Sequence, residues 1–193
     1  MTLNTEVVAT TPCDPQELFH FCRSLLGATE THPYTDKPRH EIWKEPGLHK
    51  IGNAIGIGLP ALMWAIYRPG LEPRRTPEES VAHDEGCDTD CDGKYHDPAC
   101  WVEVHFDTAY GYRGDRGEGC GDLHAQLLFD LGQWFDERKI GWGWQNEFTG
   151  EWHYEDHYAA LKELCSDGGR AMAWFTETVQ PLVEAGNPNV RWA

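Results

Sequence analysis

The chain has 193 residues, of which 40% are hydrophobic and 25% are charged. These values are typical of one globular domain, here residues 1–193, that buries an apolar core without disulfide staples. Because 16 basic side chains stand against 32 acidic ones, the net charge is −16. Such a surface repels nucleic-acid phosphates and anionic lipid, so direct binding to either is not expected.

The apolar segments predict no membrane span. The most apolar run, Ile51 to Tyr67, is interrupted by glycines and by Pro60, and a span needs roughly 18 uninterrupted apolar residues. Met1 to Thr11 has neither a basic region nor a long apolar block, so no secretory signal is expected. The seven cysteines are an odd number, which favours metal ligands and buried thiols in a cytoplasmic, reducing setting over a disulfide framework.

The first part of the chain predicts a strand followed by a helix. Glu6 to Thr10 is a short apolar strand candidate. Asp14, Pro15 and Glu17 then supply an N-cap, a first-turn proline and a capping-box acid, so a helix is expected to about Leu26. Its apolar stripe consists of Leu18, Phe21, Cys22, Leu25 and Leu26.

Strand patterns and then an acidic loop follow. His40 to Lys44 and Leu48 to Arg68 predict two or three strands separated by glycine and proline turns. Residues 69–100, which we call the acidic loop, have no periodicity, and between Thr76 and Cys100 eight acids stand against one lysine. A segment of this composition does not order itself, so something must fasten it within the domain.

The next elements are a strand and a second helix. Trp101 to Tyr112 is expected to be a strand, because Val102, Val104 and Phe106 alternate with polar residues. After a glycine-rich stretch, Asp122 serves as the N-cap of a helix that Gly141 is expected to end. The apolar stripe of this helix consists of Leu123, Leu127, Leu131, Trp134 and Phe135.

The last third predicts a hairpin and terminal helices. Trp142 to His153 is expected to form a strand, a turn near Thr149-Gly150 and a second strand. Helical residues follow, divided at Asp167-Gly168-Gly169 and kinked by Pro181. Core packing on one face of a sheet is the favoured role of the aromatic run, and a stacking platform is the alternative. The run consists of Trp142, Trp144, Phe148 and Trp152.

This order of elements favours an α+β fold. We expect a mainly antiparallel sheet with helices on one face and a ferredoxin-like, split βαβ core. The C-terminal helices and the acidic loop, fastened by a metal, would be additions to that core. No internal repeat of useful length is present.

The acidic loop contains the residues best suited to hold a metal. Within eighteen residues lie His83, Cys87, Cys91, His96 and Cys100. Thiolates and imidazoles at such spacings suit a tetrahedral zinc site. Three cysteines with His96 or His83 would close the shell, which indicates a structural zinc whose binding supplies on the order of 10 kcal/mol of folding free energy.

Two other interpretations of this loop remain open. Asp88, Asp90, Asp92 and Gly93 match the opening of a calcium loop, although Ala99 stands where the closing glutamate belongs. In the other, the cysteines are reduced and hold no metal, but exposed thiols are prone to oxidation.

A second group of residues could form a catalytic metal centre. It consists of His105, Asp107, Cys120, His124, His153 and His157. The four-residue spacing of His153 and His157 suits a metal-binding pair on a helix, but no zincin pattern is present because Glu155 lies midway between them. Ordinary surface or hydrogen-bonded histidines are the favoured interpretation.

Several segments resemble small uncharacterised proteins of actinobacteria and their phages. They are Cys-Asp-Gly, Asp-Pro-Ala-Cys-Trp-Val-Glu-Val, Phe-Asp-Thr-Ala-Tyr-Gly-Tyr and Trp-Gln-Asn-Glu-Phe-Thr-Gly-Glu, all between His83 and His153. The resemblance covers about a third of the chain. It implies a phage or actinobacterial setting and no particular mechanism.

The sequence favours an interaction or inhibitor protein over an enzyme. Its negative surface and metal-fastened loop suit a protein partner with a basic site. A metal-dependent hydrolase using His105, Asp107, His124, His153 and His157 is the first alternative. A component of a larger viral assembly is the second.

Overall fold

Seven strands and five short helices make up the described part of the chain. The computed structural model describes residues 2–25, 42–45, 48–55, 61–67, 71–77, 80, 98–109, 122–166 and 169–187. The strands are β1 (Thr2–Ala9), β2 (Ile42–Glu45), β3 (Leu48–Ile55), β4 (Ala61–Tyr67), β5 (Val102–Ala109), β6 (Trp142–Gln145) and β7 (Trp152–His153). The helices are α1 (Pro15–Leu25), α2 (Asp122–Glu137), α3 (His157–Ser166), α4 (Gly169–Trp174) and α5 (Gln180–Glu184), with a π-helical turn, Phe175–Val179, between α4 and α5.

The strands form one sheet in the order β2-β3-β4-β5-β1-β6-β7. Every neighbouring pair is antiparallel, so the expected α+β class with an antiparallel sheet is confirmed. β1 lies between β5 and β6, and Val7 is opposite both Val104 and Trp144. Because side chains directly opposite each other share a face, these three residues point to the same side of the sheet.

That side, which we call the helix face, carries the main core. Val7, Val104, Phe106 and Trp144 are fully buried there, together with apolar residues of the helices. The helical members include Leu18, Leu128, Leu131, Phe135, Leu161 and Phe175. Burial of this continuous apolar surface is the main stabilising contribution to the fold.

The start of α1 follows the predicted capping chemistry. The Asp14 carboxylate accepts a hydrogen bond from the backbone N–H of Gln16 at 2.9 Å, and Pro15 is the first helical residue. An aspartate at this position satisfies a donor that the helix itself leaves unpaired. The helix extends to Leu25, which confirms the prediction to within one residue.

The end of α2 differs from the prediction that Gly141 terminates it. The helix ends at Glu137, and Lys139 adopts the left-handed conformation, with φ of 56°. Gly141 has another role, because its N–H donates to Thr11 Oγ1 at 2.8 Å. A Cβ at Gly141 would lie only 2.7 Å from Thr10 Oγ1, so glycine is needed for this close approach.

The C-terminal helices show the expected division and an irregular turn. α3 ends at Ser166 and α4 begins at Gly169. Pro181 has no N–H to donate to the carbonyl of Glu177, and Gln180 donates instead to Phe175 across a π-helical turn. Among the described residues, no helix combines the length and apolar character that a membrane span requires.

The aromatic run is buried, but on two faces rather than one. Trp142 and Trp144 belong to the main core. Trp152 is also buried, yet it packs with Val8 and Cys100 in a second, smaller cluster. Trp152 is opposite Gln145, the neighbour of Trp144 on β6. Because neighbouring residues of a strand point to opposite faces, Trp152 and Trp144 lie on opposite faces, and the one-face expectation is wrong for Trp152.

Candidate functional site

The second side of the sheet, which we call the charged face, carries a group of ionisable residues at its centre. Glu6 on β1 is opposite His105 on β5, and Glu103 lies two residues earlier on β5. These side chains point away from the helix face because they alternate with Val7 and Val104. Glu103 is 3% exposed, which is unusual for a carboxylate and requires partners.

Two arginines supply those partners. Arg75 Nη2 donates to Glu103 Oε1 at 3.0 Å, and Arg74 Nη2 lies 3.9 Å from Oε2 of the same carboxylate. His105 Nε2 lies 3.6 Å from Oε2. Burial alone would raise the pKa of Glu103, but His105, Arg74 and Arg75 together hold it below its ordinary value. Glu103 is therefore ionised and paired.

The same arginines stand at the base of the acidic loop. Arg75 and Cys100 form an isolated antiparallel bridge, in which each backbone N–H donates to the other's carbonyl at 3.0 Å. The Trp101 indole also donates to the carbonyl of Leu71 at 3.1 Å. We call the Arg75–Cys100 pair the neck, because it brings together the two ends of residues 76–99.

Cys100, one of the five predicted zinc ligands, is completely buried at the neck. It packs with Val8 and Trp152, and its thiol donates to Glu103 Oε1 at 3.6 Å. Burial and then the Glu103 charge raise the pKa of the Cys100 thiol. The thiol form is therefore favoured as long as no metal displaces the proton. His83, Cys87, Cys91 and His96 lie outside the described residues.

Glu6, Glu103 and His105 are the described residues with the closest metal-ligand geometry. One ligand atom from each lies within 4.8 Å of the others. The guanidinium groups of Arg74 and Arg75 already pair with Glu103, however, so this carboxylate is engaged in ion pairs. The alternation along β5 predicts that Glu103 and His105 point away from the core. The sequence gives no sign that Glu6 lies beside them, since no local signal places β1 next to β5.

The histidines proposed for a catalytic centre occupy different surroundings. His124 is fully buried on the helix face, where Nε2 lies 2.7 Å from Thr5 Oγ1 and the ring packs on Phe106. His105 is on the charged face, so the sheet separates these two histidines. Burial lowers the pKa of His124 to about 3, which makes it a neutral core residue. Asp107 is described by its backbone alone, and Cys120 lies outside the described residues.

His153 and His157 do lie close together. His153 Nδ1 is 3.1 Å from both carboxylate oxygens of Asp156, and His157 Nε2 is 3.0 Å from the Trp142 carbonyl. Each imidazole also packs on a tryptophan of β6. They are not an i, i+4 pair on one helix as the spacing suggested, because His153 ends β7 and His157 begins α3.

No family model, curated protein or solved structure matches the chain.

Proposed function

We propose that this chain is a small acidic interaction protein that presents residues 69–100 to a protein partner with a basic site. A phage or actinobacterial setting, as the resemblance implies, is part of the proposal. The observation that carries it is the neck, at which Arg75 and Cys100 hold together the two ends of residues 76–99, the main part of the acidic loop.

The neck supports presentation of the loop from a fixed base. The backbone bonds between Arg75 and Cys100 bring together the ends of residues 76–99. Joining the ends of a loop costs entropy that grows only slowly with length. A long polar loop on this closed base therefore costs little more entropy than a short one.

Charge at the neck supports a basic partner. Between Thr76 and Cys100 eight acids stand against one lysine, and the two preceding arginines contact Glu103. Both guanidinium groups are engaged by this buried carboxylate. The positive side chains of a basic partner would form ion pairs with the acids of the loop. Attraction between the opposite charges would also steer the partner to the loop over several ångströms.

Structural zinc is the fastener that we propose for the loop. Cys100 is poorly suited to be a zinc ligand, because its thiol is buried and borders a carboxylate. His83, Cys87, Cys91 and His96 still provide two thiolates and two imidazoles, which complete a tetrahedral shell. The described cysteines Cys13, Cys22, Cys100 and Cys165 form no disulfides, which supports a reducing, cytoplasmic setting.

Elemental analysis of purified protein tests the zinc proposal. We expect zinc in the unsubstituted protein, an unchanged amount after Cys100→Ser, and one equivalent less after Cys87→Ser or Cys91→Ser. Calcium in place of zinc, or no metal in the unsubstituted protein, would overturn it. Equal loss from all three variants would restore Cys100 to the ligand set.

Binding to a lysine-rich peptide tests the interaction proposal. We expect affinity to fall steeply as NaCl rises from 50 to 300 mM, since exposed charges are screened at such concentrations. Replacing Asp88, Asp90 and Asp92 by Asn should weaken binding at low salt. Salt-insensitive binding, or none, would contradict the proposal.

A matched control separates the loop from the net charge. It neutralises three exposed acids of the C-terminal helical segment by Glu→Gln substitution: Glu163, Glu177 and Glu184. Both triple variants change the net charge equally. A smaller loss of affinity in the control supports the loop as the binding surface, whereas an equal loss would show that only total charge matters.

We extend the proposal to the finer fold, a split βαβ core made of β4, β5, β1, β6, α1 and α2. In support of it, β4-β5-β1-β6 are consecutive in the sheet, α2 connects β5 to β6, and Phe21 of α1 stacks on Trp134 of α2 at 5.7 Å. β2 and β3 would then be an inserted hairpin. An experimental structure with β1 at a sheet edge would contradict this arrangement.

The hydrolase alternative has less support. A centre that used all five of its residues would need His105 and His124 on one side of the sheet, and they lie on opposite sides. His153 and His157 are the part of that set that does come together.

A further inference from the structure

His153 and His157 lie side by side on neighbouring tryptophans. The His157 ring stacks on Trp142 with centroids 3.8 Å apart and an interplanar angle of 12°. The His153 ring packs on Trp144 at 4.8 Å. Trp142 and Trp144 are alternate residues of β6, so both side chains lie on the helix face. The two imidazoles therefore lie on the same side of the sheet, each against one of these tryptophans.

Hydrogen bonds fix opposite tautomers in the two rings. A carbonyl oxygen only accepts, so the contact between His157 Nε2 and the Trp142 carbonyl places the proton on Nε2. The contact between His153 Nδ1 and the Asp156 carboxylate places the proton on Nδ1. In the neutral form of both rings, the lone pairs are thus on His153 Nε2 and His157 Nδ1.

This pairing is the arrangement that metal-binding histidines use. A ligating imidazole donates its other N–H to a carboxylate or a backbone carbonyl, which orients the ring. Asp156 does this for His153, and Trp142 does it for His157. Within the described residues, neither lone-pair nitrogen has a hydrogen-bond partner, and neither is among the enclosed polar atoms.

We propose that His153 Nε2 and His157 Nδ1 bind one divalent cation that favours imidazole, such as zinc. An ion about 2 Å from each nitrogen would hold the two ring centroids about 5 to 6 Å apart. The other coordination positions remain for water. This site uses no residue of the acidic loop and stands independently of the proposed function.

Histidine side-chain NMR tests the site directly. In ¹⁵N-labelled protein carrying Cys87→Ser and Cys91→Ser, added ZnCl2 should shift His153 Nε2 and His157 Nδ1 together and saturate at one ion per chain. The exposed His20 is the internal control and should not shift at the same concentration. A shift of only one ring, of neither ring, or of His20 in parallel would overturn the proposal.

Two substitutions separate metal binding from folding. Asp156→Asn removes the orienting carboxylate and should weaken zinc binding about 10- to 100-fold. His157→Phe keeps a ring on Trp142 and should abolish joint binding. Glu163→Gln removes an equal charge from the exposed side of α3 and should leave the affinity unchanged. Unchanged affinity in Asp156→Asn, with native near-ultraviolet circular dichroism, would contradict the site.

Discussion

On the helix face, Val7, Val104 and Phe106 are buried among apolar neighbours, whereas on the charged face of the same two strands Glu103 pairs with Arg74, Arg75 and His105. Apolar burial is non-directional and tolerates small rearrangements. A buried carboxylate, by contrast, depends on particular partners at particular distances. On one face of the sheet the stabilising contribution depends on the apolar volume that is buried. On the other face it depends on the pairing of charges.

The largest effect is expected on the helix face. Trp144 is fully buried, and Trp144→Ala should lower the free energy of unfolding by about 3–5 kcal/mol, because it removes apolar contacts and leaves a cavity. Urea denaturation followed by far-ultraviolet circular dichroism measures the change.

Trp152→Ala is the control on the charged face. Among the residues that the structure describes, its cluster consists of Val8 and Cys100, with Tyr154 alongside, so we expect a smaller loss, about 2 kcal/mol. Equal losses in the two variants would mean that the charged face contains as much apolar packing as the helix face, and the contrast between them would fail.

The second effect concerns the charge pairing itself. Glu103→Gln keeps the shape of the side chain and removes its charge, leaving Arg74 and Arg75 without their carboxylate. The arginine side chains are 23% and 18% exposed, so water compensates in part. We expect a loss of about 2 kcal/mol, below the 3–5 kcal/mol of a fully enclosed pair. Urea denaturation measures this loss.

A double-mutant cycle sharpens this test. Glu103→Gln combined with Arg75→Gln should cost about 1 kcal/mol less than the sum of the two single changes. The surface variant Glu163→Gln should stay within about 0.5 kcal/mol of the unsubstituted protein. If the effects of Glu103→Gln and Arg75→Gln on the free energy of unfolding are strictly additive, the 3.0 Å contact between these residues contributes nothing to stability.

The elements were predictable where their signals are local. Asp14 and Pro15 specify the start of α1, and the alternation around Val104 specifies β5. The strand order was not predictable in this way, because the pairing of Val7 with Val104 and Trp144 joins residues far apart in the sequence. No local pattern reports such contacts.

The same limit applies to the site. The sequence shows that Glu103 and His105 point away from Val104, but only the β1–β5 register brings Glu6 to them. Cys100 was grouped with the loop's ligands by its spacing. Its burial against Val8 and Trp152 depends on three separate segments, which spacing does not reveal.

The third effect is a pH dependence that originates on the helix face. The pKa of His124 is about 3 in the folded protein, against about 6.5 when unfolded. As the pH falls, the unfolded chain therefore binds the proton before the folded protein does. The contribution of His124 to the free energy of unfolding is fully present above pH 6.5 and is lost as the pH drops toward 3. The expected loss is at most about 1.4 kcal/mol per pH unit.

Urea denaturation between pH 7 and 5 measures this slope. His124→Gln lacks the titrating group and should show a shallower decline, whereas His20→Gln, at an exposed position, should match the unsubstituted protein. If the free energy of unfolding of His124→Gln declines as steeply as that of the unsubstituted protein, the acid sensitivity comes from other groups, and the groups of the charged face are the next to test.

The smallest effect should stabilise the protein and involves neither face. Lys139 has a φ of 56°, a conformation that costs a non-glycine residue about 1 kcal/mol, so Lys139→Gly should stabilise the protein by about 0.5–1 kcal/mol. Arg138→Gly removes the same charge at a position with ordinary φ, and the guanidinium group that it deletes lies 4.3 Å from the centroid of the Trp134 ring; it should destabilise. Opposite signs of the two changes in melting temperature would separate backbone strain from charge, and equal signs would assign both to charge.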